Sequence, residues 1–311
     1  MPLSEALREL SARVSNWGRW GAEDERGTLN LITGETVLRG VASVRTGRTF
    51  SLAIPFDADG PQWDNVNMPL RTNPTLNTYA VNVSFTGDAA DFTTSDDAFT
   101  MGSQAATHWD ALAHVGYEGR LYNGVGNAVV TATGGASRLG VQSIGPVVTR
   151  GVLLDIARLH GVDHFDDNYA ITADDLDRAA TAAGLSVQPG DAVLVRTGQM
   201  HWLRQGERMR YSHPSPGLST STIAWMRDHD VAAVATDTLT FEVYPCEDPA
   251  VFMPVHMLHL RDIGLLQGQV WHLDALATDC AADGQHDFLL CATPLPLTHA
   301  VGAPVVPTAI K

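Results

Sequence analysis

The segment Ser103-Gln104-Ala105-Ala106-Thr107-His108-Trp109-Asp110-Ala111-Leu112-Ala113-His114 gathers two imidazoles, a carboxylate and an amide into one short stretch. If the backbone is extended, His108 and Asp110 project to one side, because successive side chains alternate across a strand. One imidazole and one carboxylate on one side can share a divalent cation such as Zn²⁺ or Mn²⁺. Gln104 lies four residues before His108, and His114 four after Asp110. Each reaches the same point if the segment bends or turns helical. A bare His-x-Asp also occurs in solvated and core-bonded pairs, so the spacing alone leaves both readings open.

A second group stands downstream in Pro254-Val255-His256-Met257-Leu258-His259, followed by Gly264, Gly268, Gln269 and His272. Taken alone these are equally ordinary polar positions of a helix or a core.

Composition narrows the classes. Of 311 residues, 44% are apolar and 18% charged, which is a globular balance with material for a sizeable core. The net charge of -15 opposes a nucleic-acid binder, which needs a basic face, and a protein held on anionic lipid. No run of roughly 18 apolar residues suggests a membrane span. Met1–Trp20 intersperses Glu5, Arg8, Glu9 and Arg13 among small apolar groups, unlike a signal peptide. Lysine is confined to Lys311, which disfavours Schiff-base and Walker-type chemistry. Cys246, Cys280 and Cys291 form no Cys-x-x-Cys pair and suit buried thiols in a reducing cytoplasm.

Periodicity gives a coarse map. Leu3, Ala6, Leu7 and Leu10 predict a helix ending near Ser15, and Thr33 caps a second one through Val41, stopped by Gly47. Ser51–Asn77 is rich in proline and reads as a long irregular segment carrying Trp63. Tyr79, Val81, Val83 and Phe85 alternate as in a half-buried strand. Val129–Thr133, Val147–Ile156, Ala192–Val195 and Val231–Ala235 read as buried strands. Thr172 and Asp175 open a helix that Gly184 closes, and Thr220–Arg227 is another. Strands mixed with helices mean an α/β chain. With no linker or repeat in sight, 1–311 is read as one domain.

The run Gln104–His114 resembles the His-x-Gly-Thr-His-x-Asp-x-Pro-x-His signature of the metal-dependent cyclase-family hydrolases, which include bacterial kynurenine formamidase and isatin hydrolase. Further stretches are similar to the longer actinobacterial-type members: Asn16–Gly21, Gly27–Thr33, Arg150–Asp155, Leu194–Gly198, Asp237 with Glu242, and Leu273–Ala277. The likeness spans nearly the whole chain. It implies a swivelling β/β/α fold, a mixed curved sheet flanked by helices, in a homodimer or homotetramer. It matches His108 and Asp110 to metal ligands, His114 to the catalytic histidine and His256 to a downstream histidine of the site. Two positions depart from the pattern: the first signature histidine is Gln104, and the downstream glutamate aligns with Gln269. Two dications repel strongly in a protein interior, and replacing an imidazole and a carboxylate by amides weakens the case for holding both. One metal is therefore expected, with Gln104, His108, Asp110, His256 and Gln269 as the candidate ligands. Amide oxygens favour Mn²⁺, with Zn²⁺ next.

The resemblance further implies hydrolysis of a C–N bond in a small aromatic or cyclic amide by metal-activated water, with His114 moving the proton. A cyclase or dehydratase of specialised metabolism and a metal-poor small-molecule binder are the alternatives. No Gly-x-Ser-x-Gly elbow competes for the chemistry. Trp17, Trp20, Trp63, Trp109, Trp202, Phe56 and Phe241 are candidates for the substrate wall, with Trp63 foremost.

Overall fold

A computed structural model describes residues 3–63 and 71–311. Nine strands form one sheet in the order Thr49–Ser51, Thr308–Ile310, Asp287–Cys291, Val148–Asp155, Ala192–Arg196, Ala233–Thr236, Leu266–Gln269, His108–Asp110 and Gly302–Pro304. Val148–Asp155, Ala192–Arg196, Ala233–Thr236 and Leu266–Gln269 run parallel, and every outer pairing is antiparallel. The sheet is curled and flanked by helices, the mixed α/β architecture anticipated above.

The parallel strands are apolar on both sides because both faces are covered. Val152, Leu154, Val193, Val195 and Val234 point into one core, against the helices Ala173–Ala182 and Ser221–Asp228. Leu153, Ala192, Leu194, Ala233 and Ala235 point into a second core, with Leu276 and Cys280 of the helix Asp274–Asp283.

Local signals place most helices. Ser4 caps Glu5–Val14, Thr33 forms a capping box on Gly34–Ala42, and Thr172 with Asp175 does the same for Ala173–Ala182. The second helix ends at Ala42, before Gly47.

Two strand expectations need correction. Val129–Thr133 is no buried strand: only Val130–Thr131 pairs, with Gly135–Ala136, and it is exposed. Thr75–Ser84 is a strand, but its alternation does not mark a buried face. It pairs with Thr93–Thr100 in a ribbon exposed along nearly its whole length. The irregular Ser51–Asn77 segment falls partly outside the described residues, whereas Trp63 is described. All three cysteines are free, but only Cys280 is fully buried.

Candidate metal centre

His108–Asp110 lies between two antiparallel neighbours, Leu266–Gln269 and Gly302–Pro304. His108 faces Gln269, Trp109 faces Gly268 and Asp110 faces Gln267 across the ladder. The two-residue period therefore puts His108, Asp110, Gln267 and Gln269 on one side of the sheet and Trp109 on the other. Gly268 leaves room for that indole, since a Cβ there would come within 2.9 Å of the Trp109 ring and 2.6 Å of Trp271.

The His108 imidazole, wholly buried, has Nδ1 2.6 Å from the Ala106 carbonyl, the arrangement of an N–H donor. Its Nε2 then carries the lone pair, and no protein atom bonds to it among the described residues. Burial, opposed by Asp110, lowers its pKa to about 4, so the ring is neutral and ready to ligate at pH 7.

Asp110 is also wholly buried. Its Oδ2 accepts from Gln269 Nε2 at 2.7 Å and from Gln267 Nε2 at 3.4 Å, while Oδ1 has no donor among the described residues. Burial pushes this carboxyl up, but His114, His108, His256 and Arg71 together outweigh burial and hold it below the ordinary carboxylate range.

His114 leaves the strand on a turn closed by its own N–H to the Ala111 carbonyl. Its Nε2 lies 3.6 Å from Asp110 Oδ1, the same separation as His108 Nε2. Its pKa is lowered, chiefly by burial. Gln104 Nε2 lies 3.3 Å from His114 Nδ1, so the amide is tied to the ring.

Unbonded donors buried around one point fit a cation, because an unsatisfied polar group in an interior is costly. Two ligands about 2.1 Å from a tetrahedral ion stand about 3.4 Å apart, close to the 3.6 Å separations here. Among the described residues no group of three or more His, Cys, Asp or Glu is already set to hold a metal. His108 Nε2 and Asp110 Oδ1 are the two unbonded lone-pair donors that this arrangement brings together.

His256 sits at the end of the short helical segment Pro254–His256, which runs into a π-helical turn, Met257–Ile263. Such turns frequently mark functional sites. Glu242 holds this junction: it accepts from the Val255 and His256 backbone N–H groups at 3.0 and 2.9 Å, and lies 2.6 Å from His256 Nδ1. His256 Nε2 therefore turns its lone pair to Gln269 Nε2 at 3.1 Å. The Gln269 NH₂ group thus bridges His256 and Asp110, so its nitrogen, not the amide oxygen expected as a ligand, faces them.

The aromatic candidates separate. Trp109 is not a substrate wall: it is fully buried, donates to the Ala292 carbonyl and packs edge-on against Trp271 at 4.7 Å. Phe241 is likewise core, edge-on to His256 and His259. Trp17 donates to the Arg261 carbonyl and lines a separate cavity of about 310 Å³ with Tyr117 and Arg261. Half-buried Trp20 lies beneath the Arg19 guanidinium. Phe56 and Trp202 pack against the buried cluster of Ile54, Ala106, Met200, Tyr211 and Val270, of which Val270 follows Gln269 and Ala106 lies two residues before His108. Trp63 follows Gln62, whose amide donates to the Ala105 carbonyl at 3.0 Å, so its loop is anchored beside Gln104. Asn73 clamps that loop through Ala58, Gly60 and Gln62.

Four contributors escaped the sequence reading: Gln267, Arg71, Asn73 and the role of Glu242 in holding His256. The alternation that pairs His108 with Asp110 would also have paired Gln267 with Gln269. The other three come from distant segments and carry no local signal.

The buried histidines set an acid limit on stability. His259 is fully buried with both ring nitrogens unbonded among the described residues, and burial lowers its pKa to about 3. Its folded pKa, like that of His108, lies below the ordinary 6.5. The unfolded chain therefore takes up more protons as the pH falls, and stability present above about 6.5 is lost toward about 4. The urea midpoint should be lower at pH 5 than at pH 7; equal midpoints would contradict neutral burial of these rings.

The curled mixed sheet and its inward histidine–aspartate strand define an α/β protein of the cyclase fold. The chain belongs to the family described as putative cyclase, whose profile matches residues 50–243. It is 36% identical to a protein described as a novel cyclase, whose crystal structure covers 97% of this chain and is itself covered over 99%, at a TM-score of 0.86. Isatin hydrolase A from Ralstonia solanacearum shares the fold at 18% identity, with 89% of this chain and 97% of that one covered and a TM-score of 0.63. A predicted metal-dependent hydrolase from Bacillus stearothermophilus shares it at 18% identity, with 84% and 97% covered and a TM-score of 0.52. No curated protein matches the sequence. No helix among the described residues is long and apolar enough to cross a membrane.

Proposed function

We propose that this protein is a hydrolase using one divalent metal ion to open the C–N bond of a small aromatic or cyclic amide. The observation that carries the reading is the convergence of His108 Nε2 and Asp110 Oδ1, both buried and unbonded, with His114 3.6 Å from the same oxygen. His108 and Asp110 would hold the ion, which supplies a bound water of lowered pKa and polarises the substrate carbonyl.

The single ion follows from Gln269. Its NH₂ hydrogens occupy the space between Asp110 Oδ2 and His256 Nε2, and so satisfy with a neutral amide what a second cation would otherwise satisfy. The Asp110 carboxylate would favour Mn²⁺, with Zn²⁺ next. His114, neutral, takes the proton of the attacking water and returns it to the leaving nitrogen as the C–O bond forms and the C–N bond breaks. Gln104 adjoins the other ring nitrogen through its amide Nε2, and a half-turn of that amide would put its carbonyl toward Nδ1–H and leave Nε2 as the free base. Phe56, Trp63 and Trp202 would supply the apolar side of the substrate site.

The test is metal content and isotope incorporation. Protein purified without chelator should hold about one ion per chain and open formamides or lactams. Reaction in H₂¹⁸O should place the label in the new carboxylate. An unlabelled product would mean cyclisation or dehydration, and chains that bind neither Mn²⁺ nor Zn²⁺ would mean a metal-free binder.

Glu242 acts through His256. In Glu242→Gln one accepting oxygen is lost, so kcat/KM should fall about 10–100-fold while the fold persists. Unchanged kcat/KM with a wild-type melting temperature would reduce Glu242 to a helix cap.

A further inference from the structure

A cavity of about 570 Å³ opens beyond the carboxyl ends of the neighbouring parallel strands Val148–Asp155 and Ala192–Arg196. That is the end at which α/β sheets hold their ligands. Its wall carries Arg158, Arg196, Arg204, His164 and His201. None of Gln104, His108, Asp110, His114, His256 and Gln269 lines it, so it is not the metal centre. We propose that it is a second binding site, for a small organic dianion whose oxygens pair with the guanidiniums of Arg158 and Arg204.

Charge is the first argument. The Arg196 side chain, only 13% exposed, donates Nη1 to Asp155 at 3.0 Å, Nε to Asp274 at 2.8 Å and Nη2 to the Asp163 carbonyl at 3.0 Å. Asp155 and Asp274 are thereby held inward, at 4% and 15% exposure. The outer guanidiniums are not. Arg158 stays 57% exposed, with Nε 3.5 Å from Asp155, and Arg204 stays 50% exposed while donating Nη1 to Asp274. Among the described residues these are their only side-chain partners. A guanidinium has five N–H donors, so most of each fork remains open to a ligand. The cluster is nearly balanced in total, yet the charge it turns to water is positive. Asp163 lines the cavity too, but it is exposed, where water and salt weaken its field.

His201 registers the same field. Burial first, then His164, Arg204 and Arg210, hold its pKa below the ordinary value, with Asp166 opposing them.

Size and shape select the ligand. Sites for small organic molecules enclose about 300–1,000 Å³, which is more than a bare inorganic anion fills. Two half-exposed guanidinium forks match two carboxylates, or the oxygens of one phosphate monoester. His164 and His201 stack with parallel rings 4.0 Å apart and give the organic part a flat wall.

The cavity shares one helix with the apolar wall described above. His201 and Arg204 of Met200–Arg204 line the cavity, whereas Met200 and Trp202 belong to the cluster of Ala106 and Val270. The proposal does not depend on which reaction the metal centre performs.

Calorimetric titration of the chelator-treated full chain, in which no metal competes for the anion, tests it with phenyl phosphate and succinate as probes. At least one should saturate at about one per chain at low millimolar concentration or below, and the tighter one names the source as a phosphate monoester or a dicarboxylate. The double variant Arg158→Gln, Arg204→Gln should bind that probe at least about tenfold more weakly, since a hydrogen bond to a charged group contributes about 1.5–3 kcal/mol. Arg158→Gln alone, at a side chain more than half exposed, should weaken it measurably with a wild-type melting temperature. In the wild type the saturating probe should shield Arg158 and Arg204 from phenylglyoxal, read by peptide mass. Neither probe saturating, a heat that chloride reproduces at matched ionic strength, unchanged affinity in both variants, or arginines modified equally with and without probe would each overturn the proposal.

Discussion

Asp110→Asn is expected to strip the protein of its divalent ion and abolish turnover. Asp110 is the one formally charged side chain among Gln104, His108, Asp110, His114, His256 and Gln269. It lies fully buried, its Oδ1 unbonded, among His108, His114, His256 and Arg71. Asparagine keeps the shape and still accepts from Gln269, so the strand and its pairing survive. What it removes is the anion, and with it the attraction that offsets desolvation of a bound cation. Changing an outer partner of a metal site costs about 10–100-fold in affinity, so loss of the anionic donor should exceed about 100-fold. Turnover should fall by at least about 10³, equivalent to about 4 kcal/mol of barrier. Elemental analysis and steady-state rates check both. Near-stoichiometric metal with turnover within a few-fold of wild type would remove Asp110 from the centre.

The sequence disclosed much of the fold and about half of the site, for physical reasons visible at particular residues. Valine-rich runs such as Val148–Asp155 announce themselves because parallel strands are covered on both faces. Thr33 and Thr172 announce helices because capping is local. His108 and Asp110 could be paired from their two-residue spacing. The same parity assigns Trp109 to the opposite side, and reading it as a substrate contact ignored that alternation. The exposed ribbon misled for a different reason. Alternation tells which residues share a face but not what covers the face, and Tyr79, Val81 and Phe85 look the same under a core or an interface. Glu242 was beyond reach of spacing arguments. It meets His256 from a separate segment, and only tertiary structure brings that carboxylate to the helix start and the ring together.

His114→Ala separates two roles that the geometry places side by side. His114 Nε2 is as far from Asp110 Oδ1 as His108 Nε2 is, so distance alone does not divide ligand from base. The partners of the other ring nitrogen do. His108 Nδ1 is fixed by a backbone carbonyl, which locks one tautomer and keeps Nε2 permanently open for a ligand. His114 Nδ1 meets an amide, which presents either an oxygen or an NH₂ after a half-turn. A ring that can be held in either tautomer suits a group that gains and loses a proton, and the partial exposure of its side chain gives it access to substrate. Loss of His114 should therefore lower kcat by about 10²–10⁴ while metal content stays within about two-fold of wild type. The pH profile should also lose the limb that reports the base, and added imidazole should restore part of the rate. If metal and turnover vanish together and imidazole restores neither, His114 is a ligand and the proton carrier must be sought elsewhere. If turnover survives with metal intact, the ring only fills space.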